Sequence, residues 1–184
     1  MVDLALLQSV SYIGGALGVC VAAAYYVMNL QMARRKLKID NTIFYGNLLA
    51  NKETVLQWRH VLFDQQFSSF EEWDKKYRPD PEAFSNYYAT QGLLGQLGMC
   101  VQEGLVDFDM LARRGVVAWT LAVYPKIKPI LMGMRALYND PLYGSYHEYL
   151  YEETVRRYPN AAAPKDRYKP QETYERVYNM PRLW

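Results

Sequence analysis

The chain has 184 residues, of which 51% are hydrophobic and 22% are charged, and its formal net charge at pH 7 is +2. This composition can bury a core, which excludes disorder along the whole chain, and the length suits one domain with additions. The small net charge gives no basis for binding nucleic acid, and Cys20 and Cys100 lack the CxxC spacing of zinc or redox sites.

The first predicted element is a membrane anchor. No charged side chain occurs from Leu4 to Ala33. A helix of that length extends about 45 Å, whereas the hydrocarbon core of a bilayer is about 30 Å thick. Gly14, Gly15 and Gly18 would weaken a helix in water but are common in membrane helices. The run therefore predicts a single crossing of the bilayer.

The anchor is followed at once by a basic cluster. Arg34, Arg35, Lys36 and Lys38 lie after the apolar run, and Asp3 is the one charge before it. Because positive residues favour the cytoplasmic side, the pattern predicts a single-pass protein of the cell (inner) membrane with its N-terminus outside. The cluster is also expected to contact anionic lipid. A cleaved signal peptide would carry its positive charges on the other side of the apolar run.

Three small residues lie at four-residue spacing within the anchor. Gly14, Gly18 and Ala22 would share one face of the helix. Such a face lets a second helix approach closely, so these residues are predicted to pack against a neighbour. The neighbour is either a second copy or another protein. The alternative is that a single span simply tolerates glycine.

After the anchor the chain is predicted to be helical, because no stretch shows the sustained alternation of a strand. The anchor helix is expected to run past Ile39, and Gly104 is expected to end a long helix. Between Ile39 and Gly104 the sequence has N-cap signals for three helices. The signals are Asn51, Ser69 with Glu72 as a capping box, and Asp80 ahead of Pro81.

Prolines complicate the next predicted helix. Asp107 predicts its start, and its apolar positions continue to Val123. Pro125 and Pro129 then predict a kink or a short break, because each removes a backbone donor and crowds the preceding turn. We expect helix to resume as far as about Tyr138.

The last predicted helix begins with Asp140 as its cap, carries Leu142 on its inner face and ends at Pro159. The predicted fold class is therefore all-α. It comprises one N-terminal transmembrane helix with its basic stop (1–36), a cytoplasmic helical bundle (37–158) and an extended C-terminal tail (159–184).

Few residues point to chemistry. His60 and His147 have no second ligand at metal-binding spacing, and His147 is expected on a helix surface. Gly92, Gly95 and Gly98 resemble a phosphate loop, but no strand precedes them and no Lys-Ser follows. They are instead predicted to allow close helix packing. The sequence thus predicts no catalytic residue, no metal site and no cofactor.

A resemblance to a known family rests on three segments. They are LLGQLGMCVQEGLVDFDML, YPKIKPILMGMRALYNDP and YHEYL, with Trp119 between the first two. The region from about Leu93 to Tyr151 resembles an uncharacterised family of bacterial and archaeal membrane proteins. The resemblance implies one N-terminal span, a basic stop and a small helical cytoplasmic domain. It carries over no catalytic residue.

The tail combines prolines with aromatic rings. Tyr168, Tyr174, Tyr178 and Trp184 are predicted to bind a partner, because such rings give large contact area for few rotatable bonds. The alternative is a disordered terminus.

The sequence as a whole predicts a non-catalytic accessory subunit of a larger integral-membrane complex, of photosynthetic, respiratory or monooxygenase type. Its expected partners are integral-membrane protein subunits and membrane lipids, without nucleic acid. The alternative function is a free-standing membrane-tethered adaptor or sensor that recruits soluble proteins.

Overall fold

The computed structural model describes residues 4–161, with side chains from Gln8 onward. Within that range the chain is all-α and has no strand, which confirms the predicted fold class. Seven α-helices and one π-helical turn follow one another. They are α1 Leu4–Leu49, α2 Lys52–Arg59, the π-turn His60–Asp64, α3 Phe70–Lys76, α4 Pro81–Gln102, α5 Phe108–Ala112, α6 Val116–Tyr138 and α7 Ser145–Arg157.

The chain divides between Asp40 and Asn41 into two compact units. The first unit contains most of α1, and its side chains from residue 8 to 40 are exposed except for the half-buried Asn29 and Lys38. The second unit has its own hydrophobic core. Its fully buried side chains come from the π-turn and from α3, α4, α5, α6 and α7, and they include Val61, Trp73, Tyr87, Leu97, Leu111, Ile127, Ile130 and Leu150.

The predicted N-caps are confirmed. Each cap side chain accepts a hydrogen bond from a backbone N–H of the first turn, which otherwise has no partner within the helix. Asn51, Ser69 and Asp80 accept from the backbone of Glu53, Glu72 and Glu82 at 2.9, 3.3 and 2.9 Å. The predicted end of α4 is confirmed as well, because Gly104 has φ of 67° just beyond the last turn.

The single helix predicted from Asp107 to Val123 is wrong. Asp107 does cap α5, but α5 ends at Ala112 and α6 starts only at Val116. The break occurs at Gly115, whose φ of 91° is a left-handed conformation that glycine adopts without strain. Apolar residues at helical spacing occur on both sides of Gly115, so the sequence pattern did not indicate the turn.

Pro125 and Pro129 were predicted to cause a kink or a short break. No break occurs, because α6 is helical throughout from Val116 to Tyr138. The two prolines are four residues apart and so lie close to one side of the helix, where each removes a backbone hydrogen bond. Core burial of Ile127 and Ile130 between and beyond them offsets that loss. The predicted end at Tyr138 is confirmed.

The predicted start of the last helix at Asp140 is also wrong. The Asp140 carboxylate accepts from the backbone N–H of Leu142 at 2.9 Å and closes a turn. The helix begins at Ser145, after Gly144 with φ of 80°. Leu142 therefore lies on the turn and is exposed, contrary to the inner position predicted for it. The helix ends at Arg157, as expected from Pro159.

Two of the three α4 glycines are packing sites, as predicted. A Cβ at Gly98 would overlap the carbonyl oxygen of Tyr146, and a Cβ at Gly95 would lie 2.8 Å from Cε1 of His147. Both contacts come from α7, so these glycines let α4 and α7 approach closely. The prediction is wrong for Gly92, where a Cβ would meet no atom of the described chain within 4 Å.

Replacing Gly98 with alanine is expected to lower the free energy of unfolding by at least about 2 kcal/mol, because the new methyl group meets the backbone of α7. Gly92→Ala is the matched control on the same helix. It should raise stability by about 0.5–1 kcal/mol, since alanine favours helix and has open space there. Chemical unfolding of the full chain in detergent, followed by circular dichroism, measures both. Equal effects would contradict the packing described.

Candidate functional site: the apolar anchor and the helical domain

Helix α1 has an exposed apolar surface. Among the described residues, Gln8–Leu49 is the one helical stretch long and apolar enough to span a membrane. The 46 residues of α1 extend about 70 Å, more than twice the hydrocarbon thickness. Its exposed apolar side chains include Val10, Ile13, Leu17, Val19, Val21, Val27 and Met28. Each gains roughly 1.5–3 kcal/mol when it leaves water, so this surface favours an apolar environment.

The residues of the basic cluster point to several sides of α1. Successive residues of an α-helix are rotated by about 100°, so Arg34 and Lys38 point to nearly the same side. Arg35 and Lys36 point to other sides. The three residues at 34–36 are exposed and Lys38 is half-buried. The charges thus form a girdle directly after the apolar stretch, the arrangement that headgroups on all sides of a helix would favour.

The predicted helix-packing residues share one exposed face. Gly14, Gly18 and Ala22 are all exposed on α1. No atom of the described chain lies within 4 Å of a Cβ placed at Gly14 or Gly18. Their contact with another helix stays a prediction. The partner-binding residues predicted in the tail lie outside the described residues (Tyr168, Tyr174, Tyr178 and Trp184).

His147 is buried, so its predicted surface position is wrong. Its side chain lies against Gly95, and its Nε2 is 2.6 Å from the carbonyl oxygen of Gln91. Nε2 therefore carries the proton and donates. Burial lowers the pKa of His147 below its ordinary value, although the carbonyls of Gln91 and Gly144 act in the opposite direction. The missed signal was spacing, because His147 shares one face of α7 with the buried Leu150.

Charged side chains hold α7 to its neighbours. Arg135 of α6 donates to Glu148 of α7 at 3.0 Å. Arg157, near the end of α7, pairs with Glu153 on its own helix and with Asp109 of α5 at 3.2 Å. Each acid is thus bound by a guanidinium. These pairs fix helix positions. Hydrogen bonds from Tyr158 and Arg157 lower the pKa of Asp109, and hydrogen bonds from Arg156 and Arg157 lower the pKa of Glu153, which is opposite to the raised pKa of a general acid.

The other polar side chains of the described residues include one histidine–aspartate pair. In residues 4–161 no group of three or more His, Cys, Asp or Glu side chains could hold a metal ion. In the π-turn, Nδ1 of His60 lies 3.3 Å from Asp64. Such a pair orients an imidazole, but a general base also needs a nucleophile within hydrogen-bond distance. Nε2 of His60 has no hydrogen-bond partner among the described residues.

A small cavity lies within the second unit. Its volume is about 130 Å³. Four separate segments form its wall, namely the end of α1, α2, the turn between α5 and α6, and the start of α6. The sequence analysis missed it, because no local pattern links residues so far apart along the chain. The lining residues are Leu49, Val55, Trp58, Arg114, Gly115, Val116 and Trp119.

Comparison of the chain with protein-family models, with curated proteins and with solved structures gives no match in any of the three. The family resemblance drawn from the sequence segments stays a prediction. Any functional argument therefore rests on the anchor, the helical domain and the chemistry of their side chains.

Acid is expected to destabilise the fold through His147. Its folded-state pKa lies below the unfolded value of 6.5, so the unfolded chain takes up a proton that the folded chain refuses. Stability is retained above pH 6.5 and falls below it, by up to about 1.4 kcal/mol per pH unit, until the folded pKa is reached.

Unfolding of the full chain in detergent between pH 7.5 and 5 measures this slope. His147→Gln should abolish much of this pH dependence of stability. His60→Gln leaves the buried imidazole of His147 in place and should therefore retain the pH dependence. A slope that survives in His147→Gln and vanishes in His60→Gln would contradict the assignment.

Proposed function

We propose that the protein is a non-catalytic accessory subunit that binds and stabilises a larger integral-membrane complex. The observation that carries the proposal is an exposed apolar helix on a chain whose remainder has its own helical core. In this proposal the apolar helix attaches the protein within the bilayer. The helical domain supplies a preformed surface for binding a partner. Its described polar groups form packing and capping contacts, which supports a role without catalysis.

The proposed orientation follows from the girdle of basic residues. With Arg34, Arg35, Lys36 and Lys38 at the cytoplasmic headgroups, the N-terminus lies outside and the helical domain lies in the cytoplasm. Each basic residue near an anionic surface contributes about 1 kcal/mol, so the girdle also fixes the depth of the helix. The membrane is then the cell (inner) membrane, crossed once.

The helical domain has an exposed aromatic surface suited to a protein partner. Tyr88, Tyr138 and Leu142 are exposed by 57%, 53% and 73%. The rings of Tyr138 and Tyr143 are 5.7 Å apart, so these two rings form one aromatic patch. Tyrosine is enriched at protein interfaces because it combines apolar area with a polar tip. We propose that this patch contacts a subunit of the host complex.

The proposed role of the tail is to strap the domain to the same host. Tyr168, Tyr174, Tyr178 and Trp184 are its proposed anchors, and their ordering cost would be offset on binding. Energy-converting complexes of photosynthetic, respiratory or monooxygenase type are the proposed hosts, because single-span additions are typical of them. That choice rests on analogy between architectures.

Purification of the tagged chain from membranes in mild detergent tests the proposal. We expect comigration with one large complex at fixed stoichiometry. Removing residues 162–184 should weaken retention, because the proposed strap is lost. A monomer or homodimer that captures only soluble proteins would contradict the subunit role and favour the adaptor. If the truncated chain stayed in the complex as well as the full chain does, the proposed strap would be wrong, and the proposed subunit role would stand without it.

The orientation is tested by a cysteine at residue 52 in a chain with Cys20 and Cys100 replaced by serine. A membrane-impermeant maleimide should label it only after the membrane is permeabilised. Arg34→Gln with Arg35→Gln should produce a labelled fraction in intact cells, because half the girdle is lost. The matched pair Lys75→Gln and Lys76→Gln removes equal charge from α3 and should not. Labelling of the unaltered chain in intact cells would reverse the proposed topology.

A further inference from the structure

The cavity at the start of α6 combines apolar walls with positive charge. Leu49, Val55 and Val116 supply aliphatic surface, and Trp58 and Trp119 supply two indole rings. Its volume of about 130 Å³ is close to the roughly 150 Å³ of an apolar cavity that holds benzene. One ring, or a short aliphatic chain, is therefore the largest apolar body that fits.

Arg114 places a cation at the wall of this cavity. One of its guanidinium nitrogens, Nη1, donates to Oδ1 of Asn47 at 3.2 Å. Within residues 8–161 the side chain forms no ion pair. A guanidinium has five N–H donors in a planar fork that matches a carboxylate. Arg114 thus retains donors for an anion bound beside it.

The start of α6 adds further donors. Gly115 and Val116 line the cavity, and Gly115 supplies no side-chain cap to the first turn. The uncapped amides and the helix dipole favour a negative group at this end. Trp119, itself 9% exposed, lines the cavity too, and its buried Nε1 has no hydrogen-bond partner among the described residues. A buried donor without a partner is costly, which points to a missing acceptor.

We propose that this cavity binds a small carboxylate whose apolar body is about the size of one benzene ring. The carboxylate accepts hydrogen bonds from Arg114, from the first turn of α6 and from Nε1 of Trp119. The apolar body lies against Trp58 and Trp119. A cationic ligand would be repelled by the guanidinium, and an inorganic anion would leave the apolar walls uncovered. The site lies beyond the proposed subunit role and does not depend on it.

Benzoate titrated into the full chain in detergent micelles tests the site. The readout is the indole N–H signals of chain labelled with ¹⁵N at tryptophan. Trp58 and Trp119 should shift with a saturable dependence on benzoate. Trp73 is the internal control, because its Nε1 donates to the buried Gln65 and it does not line the cavity. Benzyl alcohol should bind at least about tenfold more weakly, since it lacks the charge. Acetate should also bind more weakly, since it lacks the ring.

Two matched variants separate the site from general anion or micelle effects. Arg114→Gln should raise the Kd of benzoate at least about tenfold, whereas Arg113→Gln removes the same charge one residue away and should leave it unchanged. Val55→Phe should also weaken binding by filling the cavity from a partly exposed position. Equal Kd values for the two arginine variants, equal affinity for benzyl alcohol, or shifts that never saturate would each overturn the proposal.

Discussion

The exposed apolar surface of α1 favours an environment other than water, and the proposed membrane location of the protein depends on that constraint. From residue 8 to 36 the side chains are exposed, apart from the half-buried Asn29. Nothing in the sequence of this helix favours a solvated face, because charge is absent until Arg34. A bilayer satisfies both features at once, since it covers the apolar length and its headgroups meet the basic girdle.

The second unit, which begins at Asn41, has a hydrophobic core of its own. Its core is closed by the packing of α4 against α7, which Gly95 and Gly98 make possible by leaving room for the backbone of α7 and for His147. The buried side chain of His147 lies at this contact, beside Gly95 and Gln91 of α4. The domain therefore needs no partner to bury its core, and its exposed aromatic patch is surplus to folding. Surplus apolar surface of this kind is typical of a binding face.

Local signals predicted the helices well, and long-range contacts account for the errors. The three N-caps were predictable because a cap bonds its own first turn. Gly115 was missed because apolar positions continue on both sides of it. Pro125 and Pro129 were expected to kink or briefly break α6. The helix continues through both, because core packing offsets the two lost hydrogen bonds. His147 was the exception, because a local signal was overlooked, namely its position on the same face of α7 as the buried Leu150.

The long apolar helix was predictable from composition alone, whereas the cavity was not, because four segments separated along the chain build its wall. The predicted tail contacts lie outside the described residues.

The central claim is that α1 lies in a bilayer. Spin labels placed one at a time from residue 8 to 40, in reconstituted vesicles, test it by collision with oxygen and with a water-soluble nickel complex. The account predicts about 20 consecutive positions that oxygen reaches and nickel does not, ending before Arg34. Nickel access along the whole helix would contradict it.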